Sequence, residues 1–172
     1  MTTRTPLIAG NWKMYKTGPE AVAAARSLKE LTAGVSDVDV MIAPAFTALA
    51  ATAEALEGSP IAVGAQNLHW ESEGAFTGEI SPAMIRAAGC RYVIIGHSER
   101  RQLFGETDQA VNRKVRAALA AGLTPVLCIG ETEAEREAQQ TFSVLDKQLR
   151  LGLEDLSLPT PVDVVVAYEP VW

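Results

Sequence analysis

The sequence predicts an α/β domain with a parallel sheet, and three observations carry that expectation. Short apolar runs rich in Val and Ile alternate with longer stretches of helical periodicity. Most of the runs are near-continuous, which suits strands covered on both faces. No shift in composition marks a linker, so residues 1–172 read as a single domain.

The elements follow in order. Residues 7–10 form the first predicted strand. Pro19 suits the first turn of the next helix and Gly34 its end, with Ala21, Ala24, Leu28 and Leu31 as the apolar stripe. Residues 38–43 are the second strand, followed by a helix over 47–58 striped by Leu49, Ala53 and Leu56. The third and fourth strands are read at 61–65 and 92–96. A helix over 107–122 runs its stripe through Val111, Val115 and Ala118, ahead of a fifth strand at 124–130. Thr132 and Glu135 have capping-box spacing and open a predicted helix that buries Ala138, Phe142, Leu145 and Leu149 before Gly152. Residues 162–168 are the sixth strand. Strands alternating with helices at this frequency leave two architectures, a doubly wound open sheet or a barrel.

Composition removes several function classes. With 48% apolar and 21% charged residues the chain is globular rather than disordered or fibrous. A net charge of -6 opposes nonspecific binding to nucleic acid or to an anionic membrane. No apolar run approaches the ~20 residues of a membrane span, and the first ten residues lack the apolar core of a secretory signal. Cys90 and Cys128 have no CxxC spacing, so a disulfide scaffold or zinc site is not expected and a reducing cytoplasm is. The HExxH and EF-hand patterns are absent, and no glycine-rich phosphate loop follows any strand, which weakens a nucleotide-binding reading.

Both parallel architectures bind ligands past the carboxyl ends of their strands. After the first strand stand Asn11 and Lys13, which in extended chain point to one side and would grip an anion or a carbonyl. The alternative is a turn Asn beside a surface Lys. After the fourth strand stands His97, followed by Glu99 and Arg100. It reads either as a group that polarises a carbonyl or shuttles a proton, or as a loop histidine satisfied by backbone. His69, beside Trp70, reads as structural. Cys128 reads as a small buried hydrophobe, and Glu131 as the residue before the Thr132 cap. Glu169 ends the sixth strand, where partial desolvation would raise its pKa and make it a general base; an ordinary exposed Glu is the alternative. Pro170 stiffens the loop that follows. Asn11, Lys13, His97 and Glu169 together suit proton abstraction next to a carbonyl, with an enediolate to stabilise.

Six motifs carry a family resemblance: Gly10-Asn-Trp-Lys-Met14, Gly64-Ala-Gln-Asn67, Gly74-Ala-Phe-Thr-Gly-Glu79, Gly96-His-Ser-Glu-Arg-Arg101, Cys128-Ile-Gly-Glu131 and Ala167-Tyr-Glu-Pro-Val-Trp172. In this order they resemble the triosephosphate isomerases. The resemblance implies a (β/α) barrel and the interconversion of dihydroxyacetone phosphate and glyceraldehyde 3-phosphate without a metal or organic cofactor. It implies that Glu169 is the base, His97 a neutral electrophile, Lys13 the partner of phosphate and developing charge, and Asn11 an orienting group. Glu99 and Cys128 match supporting positions, Glu99 in support of Lys13. It further implies a homodimer held through the 67–81 loop, with Thr77 near the tip.

A barrel of this kind has eight strands and about 250 residues. The six strands here make it an incomplete barrel, and Trp172 falls at the hinge of the lid that the resemblance implies. The expectation is therefore a poorly active or inactive isomerase when the chain acts alone. A non-catalytic associating fragment is the alternative. An aldolase is disfavoured because Lys13, the only lysine in these strand-end motifs, sits in a polar setting.

Overall fold

The computed structural model describes residues 5–156 and 164–172. Its strands are β1 (Leu7–Asn11), β2 (Asp39–Ala43), β3 (Ala62–Ala65), β4 (Cys90–Ile95), β5 (Thr124–Ile129) and β6 (Val165–Tyr168). All belong to one sheet in sequential order, and each described pairing is parallel. That is the strand order of a (β/α) barrel with six of its eight strands. Positions 162 and 163 of the predicted sixth strand lie outside the described residues.

The chain forms two compact units. One runs up to Gln66 and adds Ala83–Val93; the other comprises Asn67–Pro82 and Ile94–Trp172. In the first unit β1 pairs with β2 from Leu7↔Asp39 to Asn11↔Ala43. Helix α1 (Gly18–Leu31) starts where expected. Thr17 donates its N–H and its hydroxyl to the Glu20 carboxylate at 2.8 Å, and Pro19 occupies the first turn. Its buried face is Ala21 and Ala25, with Leu28 half-buried, while Leu31 is 77% exposed. The predicted stripe therefore drifts off the face: at about 100° per residue, positions 21, 25 and 28 stay aligned and 31 rotates away. A short 3₁₀ turn (Phe46–Ala48) precedes α2 (Leu49–Ala55). There Leu49 and Leu56 are buried as predicted, with Thr52 between them in place of Ala53. Helix α3 (Pro82–Ala87) leads to β4.

The second unit holds α4 (Ser98–Leu103), α5 (Asp108–Ala120), β5, α6 (Glu133–Glu137), α7 (Thr141–Gly152) and β6. Helix α5 matches its prediction closely. Thr107 caps it by accepting from the Ala110 N–H, and Val111, Val115 and Ala118 are fully buried. The stretch after Thr132 differs. Its capping box forms with Glu135, but the helix breaks after Glu137 and resumes at Thr141, with Gln139 in a left-handed conformation (φ 58°). The break resets the helical phase. Ala138 is exposed and Phe142 is 86% exposed, whereas Leu145, Leu149 and Gly152 turn inward. Edge position also matters: alternate residues of β6 are exposed, Val166 by 46% and Tyr168 by 50%, so this run is not covered on both faces. Ile8 of β1 is likewise 59% exposed.

Candidate active site

In the second unit, His97 and Glu169 meet. His97 is the N-cap of α4, reached from β4 through Gly96, whose φ of 74° belongs to the left-handed region. The imidazole is nearly buried, and its Nδ1 accepts the Glu99 N–H at 3.2 Å. A ring nitrogen that accepts a backbone N–H carries no proton, so the proton of the neutral ring sits on Nε2. Nε2 lies 3.0 Å from Glu169 Oε1 and donates to it. Glu169 Oε2 accepts the Ser98 N–H at 3.4 Å. The Glu99 carboxylate stands 3.6 Å from Nδ1, beyond hydrogen-bond range.

Strand β6 delivers Glu169. Its N–H donates to Ile129 O and the Val171 N–H to Glu131 O, both at 2.8 Å, so pairing continues past β6 on either side of Pro170, which has no N–H to give. The close approach depends on Gly130: a Cβ there would lie 1.9 Å from Glu169 O. The carboxyl of Glu169 is lowered from the ordinary carboxylate range, and the His97 hydrogen bond is the largest cause, ahead of the desolvation that opposes it. This corrects the expectation of a raised pKa. Desolvation is present, but the side chain remains about one-third exposed and the imidazole donor outweighs it.

Behind His97 lies a buried network with no sequence signal. Glu106 Oε2 accepts the Gly96 N–H at 3.0 Å, while Oε1 accepts from Lys114 Nζ and, at 3.4 Å, from Arg100 Nε. Lys114 also donates to Asn67 Oδ1 at 2.7 Å, tying the first residue of the 67–81 loop to α5. Arg101 donates to Gly96 O at 2.7 Å, to Asp108 at 2.7 Å and to Cys128 O at 3.2 Å. The apparent charge run after His97 is thus a bracket between strand ends rather than a solvated face. Cys128 contributes its carbonyl. Its thiol, pushed up to about 12 by burial and then by the Glu169 charge, is neutral and unreactive near pH 7.

Glu131 is fully buried, not merely a residue before a cap. Its carboxylate accepts the Tyr168 hydroxyl at 3.0 Å and Arg136 at 3.1 Å. Burial raises its pKa, but its own N–H together with Arg136, Tyr168 and Trp172 brings it below the ordinary range. In the 67–81 loop His69 stacks on Trp70 and lies 4.4 Å from Phe76, and its N–H closes the loop on Ile80 O at 2.9 Å. Thr77 is exposed on the turn at the far end.

In the first unit, Asn11 ends β1, and Lys13 is exposed. Lys13 is left-handed, in place of the extended chain expected from strand alternation: its φ is 52°, and its N–H donates to Asn11 Oδ1 at 3.0 Å. The two are joined by an Asx turn, because an Asn side chain readily accepts from the N–H two residues on. No cluster of metal-ligating side chains occurs among the described residues.

A family model described as triosephosphate isomerase matches residues 6–172. The triosephosphate isomerase of Endomicrobium trichonymphae is 59% identical over 169 residues, covering 98% of this chain and 68% of the relative. That of Syntrophotalea carbinolica is 57% identical, covering 98% and 67%. The crystal structure of triosephosphate isomerase from Bartonella henselae superposes with a TM-score of 0.92 at 40% identity, covering 98% of this chain and 69% of that one.

Proposed function

Because the chain belongs to the triosephosphate isomerase family, we propose that its reaction is the interconversion of dihydroxyacetone phosphate and glyceraldehyde 3-phosphate, with Glu169 and His97 as the proton-handling pair. The observation that carries this reading is the 3.0 Å contact between a neutral imidazole donor and a carboxylate. Glu169 takes a proton from the hydroxymethyl carbon and returns it to the neighbouring carbon. The Nε2–H of His97 stabilises the negative oxygen of the enediolate and relays a proton between the two oxygens. In the unliganded protein the pair bind each other. A substrate oxygen that takes over the Nε2–H removes the largest influence lowering the Glu169 pKa, so the carboxylate becomes a stronger base as the substrate arrives. Lys13 is assigned the phosphate and developing charge, and Asn11 the orientation of the oxygens.

The chain spans about two thirds of the length of these relatives. The strand that delivers Glu169 is half-exposed at Val166 and Tyr168, which supports a turnover far below that of a full-length relative when the 172-residue chain acts alone. The same reading includes a cytoplasmic homodimer formed through the 67–81 loop, supported by its closed base and exposed Thr77 and Phe76. No helix among the described residues is long and apolar enough to cross a membrane.

A coupled isomerase assay on the purified chain, with Glu169→Gln as control, tests the reaction. The expected result is weak turnover that the substitution abolishes. Turnover indifferent to Glu169→Gln overturns the base assignment, and turnover equal to a full-length relative overturns the expectation of a feeble enzyme.

A further inference from the structure

The segment Gly64-Ala-Gln-Asn67 carries a side chain to which the reaction above gives no task. Gln66 follows β3, and its Nε2 donates to two main-chain carbonyls, Lys13 O and Ala43 O, both at 2.8 Å. Ala43 O also accepts the Trp12 N–H at 3.0 Å. Lys13 is meanwhile a non-glycine residue with a left-handed backbone, φ 52°, its N–H on Asn11 Oδ1 at 3.0 Å. The turn after β1 is therefore gripped through three groups: the Trp12 N–H, the Lys13 N–H and the Lys13 carbonyl.

We propose that Gln66 is a positioning residue that locks Lys13 in its left-handed conformation and so fixes where the ammonium group stands. A residue with a Cβ leaves the left-handed region unless its surroundings hold it there. Leaving it re-aims the Cα–Cβ bond, and the long side chain swings with it. A primary amide suits the task. Its nitrogen carries two hydrogens, one for each carbonyl, whereas a carboxylate of the same shape would set oxygen against oxygen. Asn11 holds the turn by its N–H, Gln66 by its carbonyl, and neither alone restrains both peptide planes that flank Lys13.

The part this plays in the reaction rests on the function proposed above, but the positioning itself is read without turnover. Amide hydrogen exchange on the 172-residue chain compares Gln66→Met with the parent. Exchange of the Lys13 amide is expected to quicken about tenfold while that of Ile42 in β2 stays within about twofold. A denaturant double-mutant cycle then places Gln66→Met in a Lys13→Gly background. Glycine needs no restraint to be left-handed, so the substitution should lower the folding constant about threefold less there than beside Lys13. Gln66→Asn, one methylene too short to reach both carbonyls, gives the same pattern and serves if Gln66→Met does not fold. Equal effects in both backgrounds, or equal acceleration at Lys13 and Ile42, make Gln66 a general anchor of β2 and overturn the proposal. If the cycle shows coupling while Lys13→Gly leaves dihydroxyacetone phosphate turnover intact, the positioning stands and the assigned role of Lys13 falls.

Discussion

Replacing Gly130 by alanine isolates the contact that delivers the base. The new Cβ would sit 1.9 Å from Glu169 O, 2.6 Å from Glu169 C and 3.2 Å from the Pro170 Cα. Ordinary carbon contact begins near 3.4 Å, so the Glu169 backbone has to retreat by about 1.5 Å. The atoms in the way are main chain, and no side-chain rotation relieves them. A retreat of that size breaks the 2.8 Å bond from the Glu169 N–H to Ile129 O and draws Oε1 away from Nε2 of His97. Overpacking of this kind costs about 1–3 kcal/mol. A misplacement of about 1 Å at a reacting group costs on the order of 10²-fold in rate. The primary assay is an NMR titration of the Glu169 carboxyl carbon together with the His97 Nε2–H resonance. In Gly130→Ala the carboxyl should titrate higher than in the parent, since the His97 hydrogen bond is the largest cause of its lowered value. Isomerase turnover, where measurable, should fall with it. An unchanged titration, an unchanged Nε2–H resonance and unchanged stability would refute the reasoning, because they would mean that the Glu169 backbone has room the structure denies it.

Two further predictions concern the groups around this contact. In His97→Ala, desolvation is left without its main opponent and only the Ser98 hydrogen bonds still lower the pKa, so the Glu169 carboxyl should titrate higher than in the parent. In the parent, the lowered pKa stabilises the fold at pH above the unfolded-state value, and that stabilisation disappears as pH falls through the lower folded-state value. The variant's acid-unfolding profile should lack this component. In Lys114→Met, Glu106 keeps only the Gly96 N–H and a long contact from Arg100, and both members of the broken pair are almost fully buried. Denaturant unfolding should register a loss of about 3–5 kcal/mol; a loss below ~1 kcal/mol, the worth of an exposed pair, would place the pair in water.

Local pattern carried much of this protein. The six apolar runs, the apolar stripe of α5 and the Thr132 capping box are visible because they depend on residues close in the chain. Their apolar periodicity and cap spacing are decided within one element, although the strands' hydrogen bonds are made to neighbouring strands. His97 and Glu169 were legible as polar groups at the ends of apolar runs, and the motifs around them as those of a family. What the chain does between elements was not legible. Nothing in the spacing of Glu106, Lys114 and Asn67 shows that they meet, since their proximity comes from the packing of segments far apart in sequence. By local sequence Glu131 is the residue before a helix cap, whereas the Tyr168 hydroxyl and the Arg136 guanidinium on its carboxylate are contacts that only the folded chain makes. The split between α6 and α7 overrode a helical pattern that ran straight through it, and so left Phe142 outside.

The direction of the Glu169 pKa shift shows the division most clearly. Sequence alone put a carboxylate at a strand end and expected burial to raise it. Whether burial or a hydrogen bond prevails depends on the 3.0 Å to an imidazole 72 positions earlier in the chain, and a separation of that kind is set only when both strands are in place. Residue types and their local order thus determined the elements and the chemistry available. Tertiary structure decided which groups face one another, because electrostatic and hydrogen-bond energies fall off over a few ångströms and follow distance in space, not distance along the chain.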